Sequence, residues 1–133
     1  MHPILRNVLV FIGALIIGGA VNSVIVSNGI NMIDTPEGFD YNNLETYSLL
    51  SPMNLMLPFA AHALGTLTGA YLVAKFAASH WKQLAFGMGL LFLMLGAAAA
   101  VMIEAPMWFN ALDLSLAYIP MGLLGWVLAG SKQ

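Results

Sequence analysis

Four long apolar stretches limit what this chain can fold into more than any other feature of its sequence. They cover residues 4–28, 52–76, 83–103 and 107–129. A helix needs roughly 20 apolar residues to cross the hydrocarbon core of a bilayer, and each stretch reaches that length. Because 60% of the residues are hydrophobic and only 8% are charged, the composition is typical of polytopic membrane proteins. The sequence therefore predicts an all-α integral membrane protein, a single domain built as a four-transmembrane-helix bundle.

The first stretch has an alternative interpretation as a cleaved secretory signal peptide. Arg6 near its start and the apolar core that follows are features of such peptides. The segment is too long, however, and no cleavage site of the small-x-small type follows it. We therefore interpret residues 4–28 as the first membrane span.

The segment between the first two spans, residues 29–50, is the one sizeable polar part of the chain. It contains a turn signal at residues 35–38, Thr-Pro-Glu-Gly. Asp40 is placed to N-cap a short helix that carries Leu44 and Tyr47 toward the membrane surface. Pro52 then suits the first turn of the second span. The sequence predicts a short interfacial helix in this first loop.

The basic residues predict how the chain is threaded through the membrane. Arg6, Lys75, Lys82 and Lys132 fall at the two ends of the chain and between the second and third spans. Acidic residues fill the other two loops. Lys and Arg are retained on the cytoplasmic side, so both termini are predicted to be cytoplasmic and the acidic loop to be outside. We expect a bacterial inner membrane protein.

Two helix patterns predict packing. In the second span one stripe carries small and polar residues, which should face protein: Asn54, Pro58, Ala61, His62, Gly65 and Gly69. Gly65 and Gly69 have the small-xxx-small spacing that lets membrane helices approach closely. The opposite face, which includes Leu55 and Leu64, is expected to face lipid. In the fourth span, Pro120 should kink the helix.

Polar residues inside the spans predict a site on the outer side of the bundle. At 1.5 Å per residue, Asn22 and Asp113 lie roughly 9 Å inside the outer boundary and His62 roughly 15 Å inside it. An ionisable residue within a span points to a partner in the bundle, so we expect Asp113 to meet His62 or Asn22. The remaining candidates form a polar mouth above them: Asn54, Glu104 and Asn110. The pattern favours an outward-facing pocket that binds a proton, a cation or a small polar ligand.

Other functions have weaker signals. The same polar residues are also typical of hydrogen bonds that only fix helix packing. Met53, Met56, Met102 and Met107 near the outer boundary would suit Cu(I), and His62 could ligate haem only with a second axial ligand, so metal and cofactor stay unassigned. No hydrolase, metalloprotease or P-loop motif is present, which argues against an enzyme. A net charge of −2 without a basic cluster argues against nucleic acid binding.

Two classes of function follow. The first is a small transporter or ligand-binding membrane protein, expected to form a homo-oligomer because four short helices enclose little volume. The absence of an acidic residue within the first span argues against a small multidrug antiporter. The alternative is an accessory or structural subunit of a membrane complex, which contacts its partners through the acidic loop and the helix faces.

Overall fold

The computed structural model describes residues 1–131, and within that range all regular structure is helical. Five α-helices are present: α1 (Pro3–Gly29), α2 (Pro52–Phe76), α3 (Trp81–Met102), α4 (Met107–Leu116) and α5 (Ile119–Leu128). Two 3₁₀ helices, Ile30–Met32 and Leu44–Leu49, lie between α1 and α2. By length and composition, α1, α2, α3 and the α4–α5 pair are each long and apolar enough to span a membrane. The predicted all-helical class and the number of apolar spans are confirmed.

The helix ends lie close to the predicted ones. The second span begins and ends at the predicted residues, and α1 extends one residue beyond its prediction at each end. α3 begins at Trp81, two residues early, because His80 adopts a left-handed conformation with a φ of 57° and its carbonyl already accepts the Leu84 N–H at 2.9 Å. The α2–α3 turn is therefore tight, and the two helices are antiparallel neighbours.

α2 is the central helix of the bundle. α1, α3 and α5 all pack against it, whereas α1 hardly touches α3. Leu55, which was expected to face lipid, is 1% exposed and packs with Leu50 and Phe109. That expectation was wrong for Leu55 because a helix with neighbours on three sides buries more than one face.

α1 and α2 approach each other at their glycines. A Cβ atom placed on Gly65 would lie 2.8 Å from the carbonyl oxygen of Gly18, and one placed on Gly18 would lie 2.6 Å from that of Gly65. A Cβ atom on Gly69 would lie 3.2 Å from the carbonyl oxygen of Ala14. No side chain fits between these backbones, so the contact depends on glycine.

The fourth span is broken rather than kinked. α4 ends at Leu116 and α5 starts at Ile119, with Ala117 and Tyr118 between them. Pro120 explains the position of the break, since its ring clashes with the carbonyl four residues earlier, that of Leu116, and disfavours helical geometry in the residue before it. The kink predicted at Pro120 is thus a short break, and the predicted fourth span consists of two helices, α4 and α5.

The loop between α1 and α2, residues 30–51, packs over one end of the bundle. It is named the outer loop here for the side of the membrane on which it is predicted to lie. The second 3₁₀ helix of this loop, Leu44–Leu49, is capped by Asn43 and not by Asp40 as predicted. The Asn43 side chain accepts the Glu45 N–H at 3.2 Å. Asp40 instead accepts the N–H of Asn42 two residues on, which makes it part of the preceding turn. A short helix is present where one was expected, and its position at a membrane surface stays a prediction.

Charged residues separate between the two ends of the bundle. Arg6, Lys75 and Lys82 lie at the end where α1 begins and α2 meets α3; Arg6 donates to the carbonyl of Phe76 at 2.9 Å. Asn7 fastens the same end, since its side chain accepts the Ala78 N–H at 2.7 Å. The acidic loop lies at the opposite end. The predicted contribution of Lys132 and the C-terminus lies outside the described residues.

Candidate functional site

His62 and Asp113 meet in the interior of the bundle. Nδ1 of His62, on α2, lies 2.9 Å from both carboxylate oxygens of Asp113, on α4. The Asp113 residue is only 5% exposed, whereas the His62 side chain keeps 27% of its surface exposed. The structure thus brings together the two residues whose depths along the spans were expected to match.

Tyr118 completes a three-residue cluster that the sequence did not reveal. Its hydroxyl donates to Oδ2 of Asp113 at 2.9 Å, and its ring stacks on the His62 imidazole with 5.8 Å between the centroids. The residue is 2% exposed. Gly96 on α3 makes room for it, because a Cβ atom at Gly96 would collide with the phenol ring.

The break in the fourth span is what joins Tyr118 to Asp113. In a continuous helix, residues five apart point about 140° away from each other, so the two side chains would face different neighbours. The irregular backbone at Ala117 and Tyr118 turns the phenol back toward the carboxylate. Pro120 was the sequence signal for this break. If Pro120 had been interpreted as the start of a new helix and not as a kink, Tyr118 would have been recognised as a residue at the break.

The hydrogen bonds limit where the protons of the cluster can lie. An ionised carboxylate is an acceptor only, so Asp113 accepts from both the Tyr118 hydroxyl and the Nδ1–H of His62. A neutral imidazole with its proton on Nδ1 has an acceptor at Nε2. No residue within 1–131 donates a hydrogen bond to that Nε2. With Asp113 ionised and His62 neutral, the cluster carries one negative charge and one free acceptor; with His62 protonated, it carries no net charge and no free acceptor.

A cavity of about 400 Å³, here named the loop-side cavity, lies next to the cluster. Walls of α1, α2, α3 and α4 surround it, and the outer loop covers it. Its polar lining includes three of the predicted pocket residues besides His62: Asn22, Asn110 and Asp113. No Lys or Arg is among the residues that line it.

Two predicted pocket residues lie elsewhere. Asn54 is buried and donates to the carbonyl of Asp34 at 2.7 Å, so it fastens the outer loop to the start of α2. Glu104 is exposed, and its backbone N–H donates to the carbonyl of Leu44 at 3.3 Å. Neither lines the cavity. Depth along a span correctly predicted which polar residues inside the bundle line the cavity. At the helix ends, the fold of the loop determines where each side chain points.

Asn22 has an unusual environment. Its Oδ1 atom is one of two buried side-chain oxygen or nitrogen atoms within the described residues that have no hydrogen-bond partner. The same side chain lines the cavity beside His62. A buried polar atom without a partner costs about 1–3 kcal/mol, which a donor near the Asn22 amide would offset.

Aromatic residues of the outer loop form the roof of the loop-side cavity. Tyr41 and Tyr47 line it, and the Tyr47 hydroxyl donates to the Tyr41 carbonyl at 3.3 Å. Burial, followed by the neighbouring Tyr41, raises the pKa of Tyr47 above its ordinary value. The Tyr47 hydroxyl therefore stays protonated at neutral pH and keeps this hydrogen bond.

Metal binding had only a weak signal in the sequence and was left unassigned. Among residues 1–131, no three or more His, Asp and Glu side chains gather closely enough to hold a metal ion. The His62 and Asp113 pair supplies two such groups, and Asp113 is already occupied by Tyr118 and His62.

Comparisons with known proteins give this chain no relatives: no family model, curated protein or solved structure matches it. A function can therefore be inferred only from the geometry of the site.

Proposed function

We propose that this protein binds a small organic cation, of the protonated amine type, in the loop-side cavity, and that it serves in the transport or sensing of that cation. The observation that carries the proposal is the His62, Asp113 and Tyr118 cluster beside a cavity without basic residues. In the proposed binding state His62 is neutral with its proton on Nδ1, so Nε2 presents a lone pair and the Asp113 carboxylate gives the cluster a negative charge. An ammonium group supplies both the donors and the positive charge that such a site lacks.

The cost of burying Asp113 supports a binding function over simple packing. A carboxylate in a membrane span is expensive and persists where a partner or a function requires it. Two neutral residues could hold α2 and α4 together without this cost.

The proposal includes an orientation in the membrane. We infer that the acidic outer loop faces the outside of a bacterial inner membrane, because Arg6, Lys75 and Lys82 gather at the opposite end. The loop-side cavity would then face outward. An oligomer is expected for the same reason as before, since four helices enclose a site for only one small molecule.

Thermal unfolding in detergent tests the binding of a cation. Ethylammonium should raise the unfolding temperature of the protein in a concentration-dependent way, because a ligand that binds only the folded state stabilises it. Asp113→Asn keeps the shape of the side chain and removes its charge, so the stabilisation should disappear.

Glu104→Gln is the matched control, since it removes an acidic charge that lies outside the cavity. It should respond to ethylammonium as the natural protein does. Equal stabilisation of the Asp113→Asn and Glu104→Gln variants would contradict the proposal and would favour the accessory-subunit alternative.

A further inference from the structure

We infer that the ligand is an amphiphile, an amine with a long apolar chain, which reaches His62 from the lipid through a cleft between α1 and α3. The inference rests on the proposed function, because it takes the ammonium site as given. It adds the chemical class of the rest of the ligand and the path by which the ligand arrives.

A second cavity carries the argument. It measures about 300 Å³ and lies against the loop-side cavity; we name it the mid-bundle cavity. The two cavities share Asn22, Ser23, His62, Gly96 and Ala99. His62 therefore stands where they meet, with the polar outer loop on one side and the middle of the bundle on the other.

The walls of the mid-bundle cavity suit a hydrocarbon chain. Below His62 and Asn22, they are formed by Gly19 on α1 and by Phe92 and Leu95 on α3. Tyr118 also lines this cavity, but its hydroxyl already donates to Asp113; the other three residues present no charge and no hydrogen-bonding side chain. A ligand that filled both cavities would place its polar end at His62 and its apolar end beside Leu95.

The path to the lipid follows from how α1 is held. α1 packs on α2 and hardly touches α3; Phe92 of α3 reaches Gly18, but residues that line the mid-bundle cavity on its outer side are exposed. Ser23 and Leu95 line the mid-bundle cavity from opposite helices, and both are exposed, Leu95 by 55%. In a bilayer this opening faces acyl chains. A lipid-soluble amine can enter there without passing beneath the loop tyrosines.

The experiment uses the full chain in lipid nanodiscs and decylamine with a photoreactive diazirine in its chain. Intact-mass measurement gives the fraction of protein that is labelled. Unlabelled decylamine should compete at least tenfold better than ethylamine, since each buried methylene contributes roughly a fourfold factor in affinity. Peptide analysis should place the label on α1 and α3.

Two glycines of α1 provide a matched pair of variants. A Cβ atom at Gly19 or at Gly13 would meet nothing within 4 Å, so both positions accept a larger side chain. Gly19 lines the mid-bundle cavity and Gly13 lines neither cavity. Gly19→Leu should reduce labelling several-fold, and Gly13→Leu should leave it unchanged.

A second pair on α3 repeats the test if a leucine on α1 prevents folding. Leu95→Trp should fill the mid-bundle cavity, whereas Leu90→Trp changes another exposed position of the same helix that lines neither cavity. Loss of labelling in Leu95→Trp alone supports the cleft. Equal labelling of both tryptophan variants would overturn it.

The outcomes distinguish a failure of the amphiphile inference from a failure of the proposed amine site. If ethylamine competes as well as decylamine and Gly19→Leu binds normally, the ligand is small and water-borne; the further inference then fails and the proposed function stands. If Asp113→Asn leaves labelling unchanged, or if labelling does not saturate, the amine site itself is absent and both proposals fail.

Discussion

The contact of α1 with α2 and the cleft between α1 and α3 are built from the same kinds of small residue, with opposite results. On the α2 side, Gly18 and Gly65 bring two backbones together so closely that no side chain fits between them. On the α3 side, Gly19 and Ala99 line a cavity. Small residues in a membrane helix therefore permit close contact only where the partner helix advances into the space.

The difference follows from what holds each pair of helices. Asn7 of α1 fastens the α2–α3 turn at the basic end, and the glycines continue the contact along α2. α3 is held away from α1 at mid-bundle because Tyr118 occupies the space beneath Gly96 and Phe92 stands against Gly18. The aromatic side chains thus leave a space in which His62 keeps part of its surface exposed.

Reporter fusions would show which end of the helix bundle faces the cell interior, and their result is all-or-none. A reporter that is active only in the periplasm should work when fused after Asp40 and fail when fused after Gln83, since Lys75 and Lys82 hold the α2–α3 turn inside. The in-frame fusion at Asp40 serves as the positive control. Activity at Gln83 would reverse the threading, and the cavity would then open toward the cytoplasm.

Leucine substitutions at the α1–α2 contact and at the cleft between α1 and α3 should differ strongly in their effect on folding stability. Gly65→Leu forces a side chain against the Gly18 carbonyl and should cost about 3 kcal/mol of folding free energy or prevent folding. Gly19→Leu has free space around its Cβ and should change stability by less than about 0.5 kcal/mol. Unfolding in detergent measures both. Similar losses in the two variants would mean that α1 is packed alike on both sides.

Much of this architecture was predictable, because span length and hydropathy depend on local composition. α2 runs between the residues expected for the second span, and helix rise placed both His62 and Asn22 within reach of Asp113, of which His62 is the partner in the structure. The missing information concerned irregular backbone. Tyr118 joins the site only because Pro120 ends α4 at Leu116, and the periodicity of a helix gives no position for a residue beyond its end.

The outer loop was the other part that the sequence could not place. Its fold depends on contacts between distant segments, such as the hydrogen bond from Asn54 to the Asp34 carbonyl. Those contacts turn Asn54 toward the loop and leave Glu104 exposed, so both lie outside the cavity. Polar residues near helix ends have several partners within reach, and charge or spacing alone does not choose among them.

A double-mutant cycle measures the interaction energy between His62 and Asp113 beside the cavity, and its expected effect is smaller. His62→Ala and Asp113→Asn should each cost roughly 1–3 kcal/mol, because each removes or weakens the hydrogen bond between the two side chains inside the bundle. The double variant should cost less than the sum of the two. Thermal unfolding in detergent gives the interaction energy directly. Additive costs would show that the two side chains do not depend on each other in the folded protein.

Acylation of histidine by diethyl pyrocarbonate tests most directly the claim that His62 presents a free nitrogen to a cavity that binds amines. The chain has three histidines, and His2 and His80 lie exposed at the basic end, where they serve as internal references. We predict that His62 is modified in the folded protein and that ethylammonium slows its modification relative to that of His2 and His80. An unreactive His62, or one whose rate ethylammonium does not change, would contradict it.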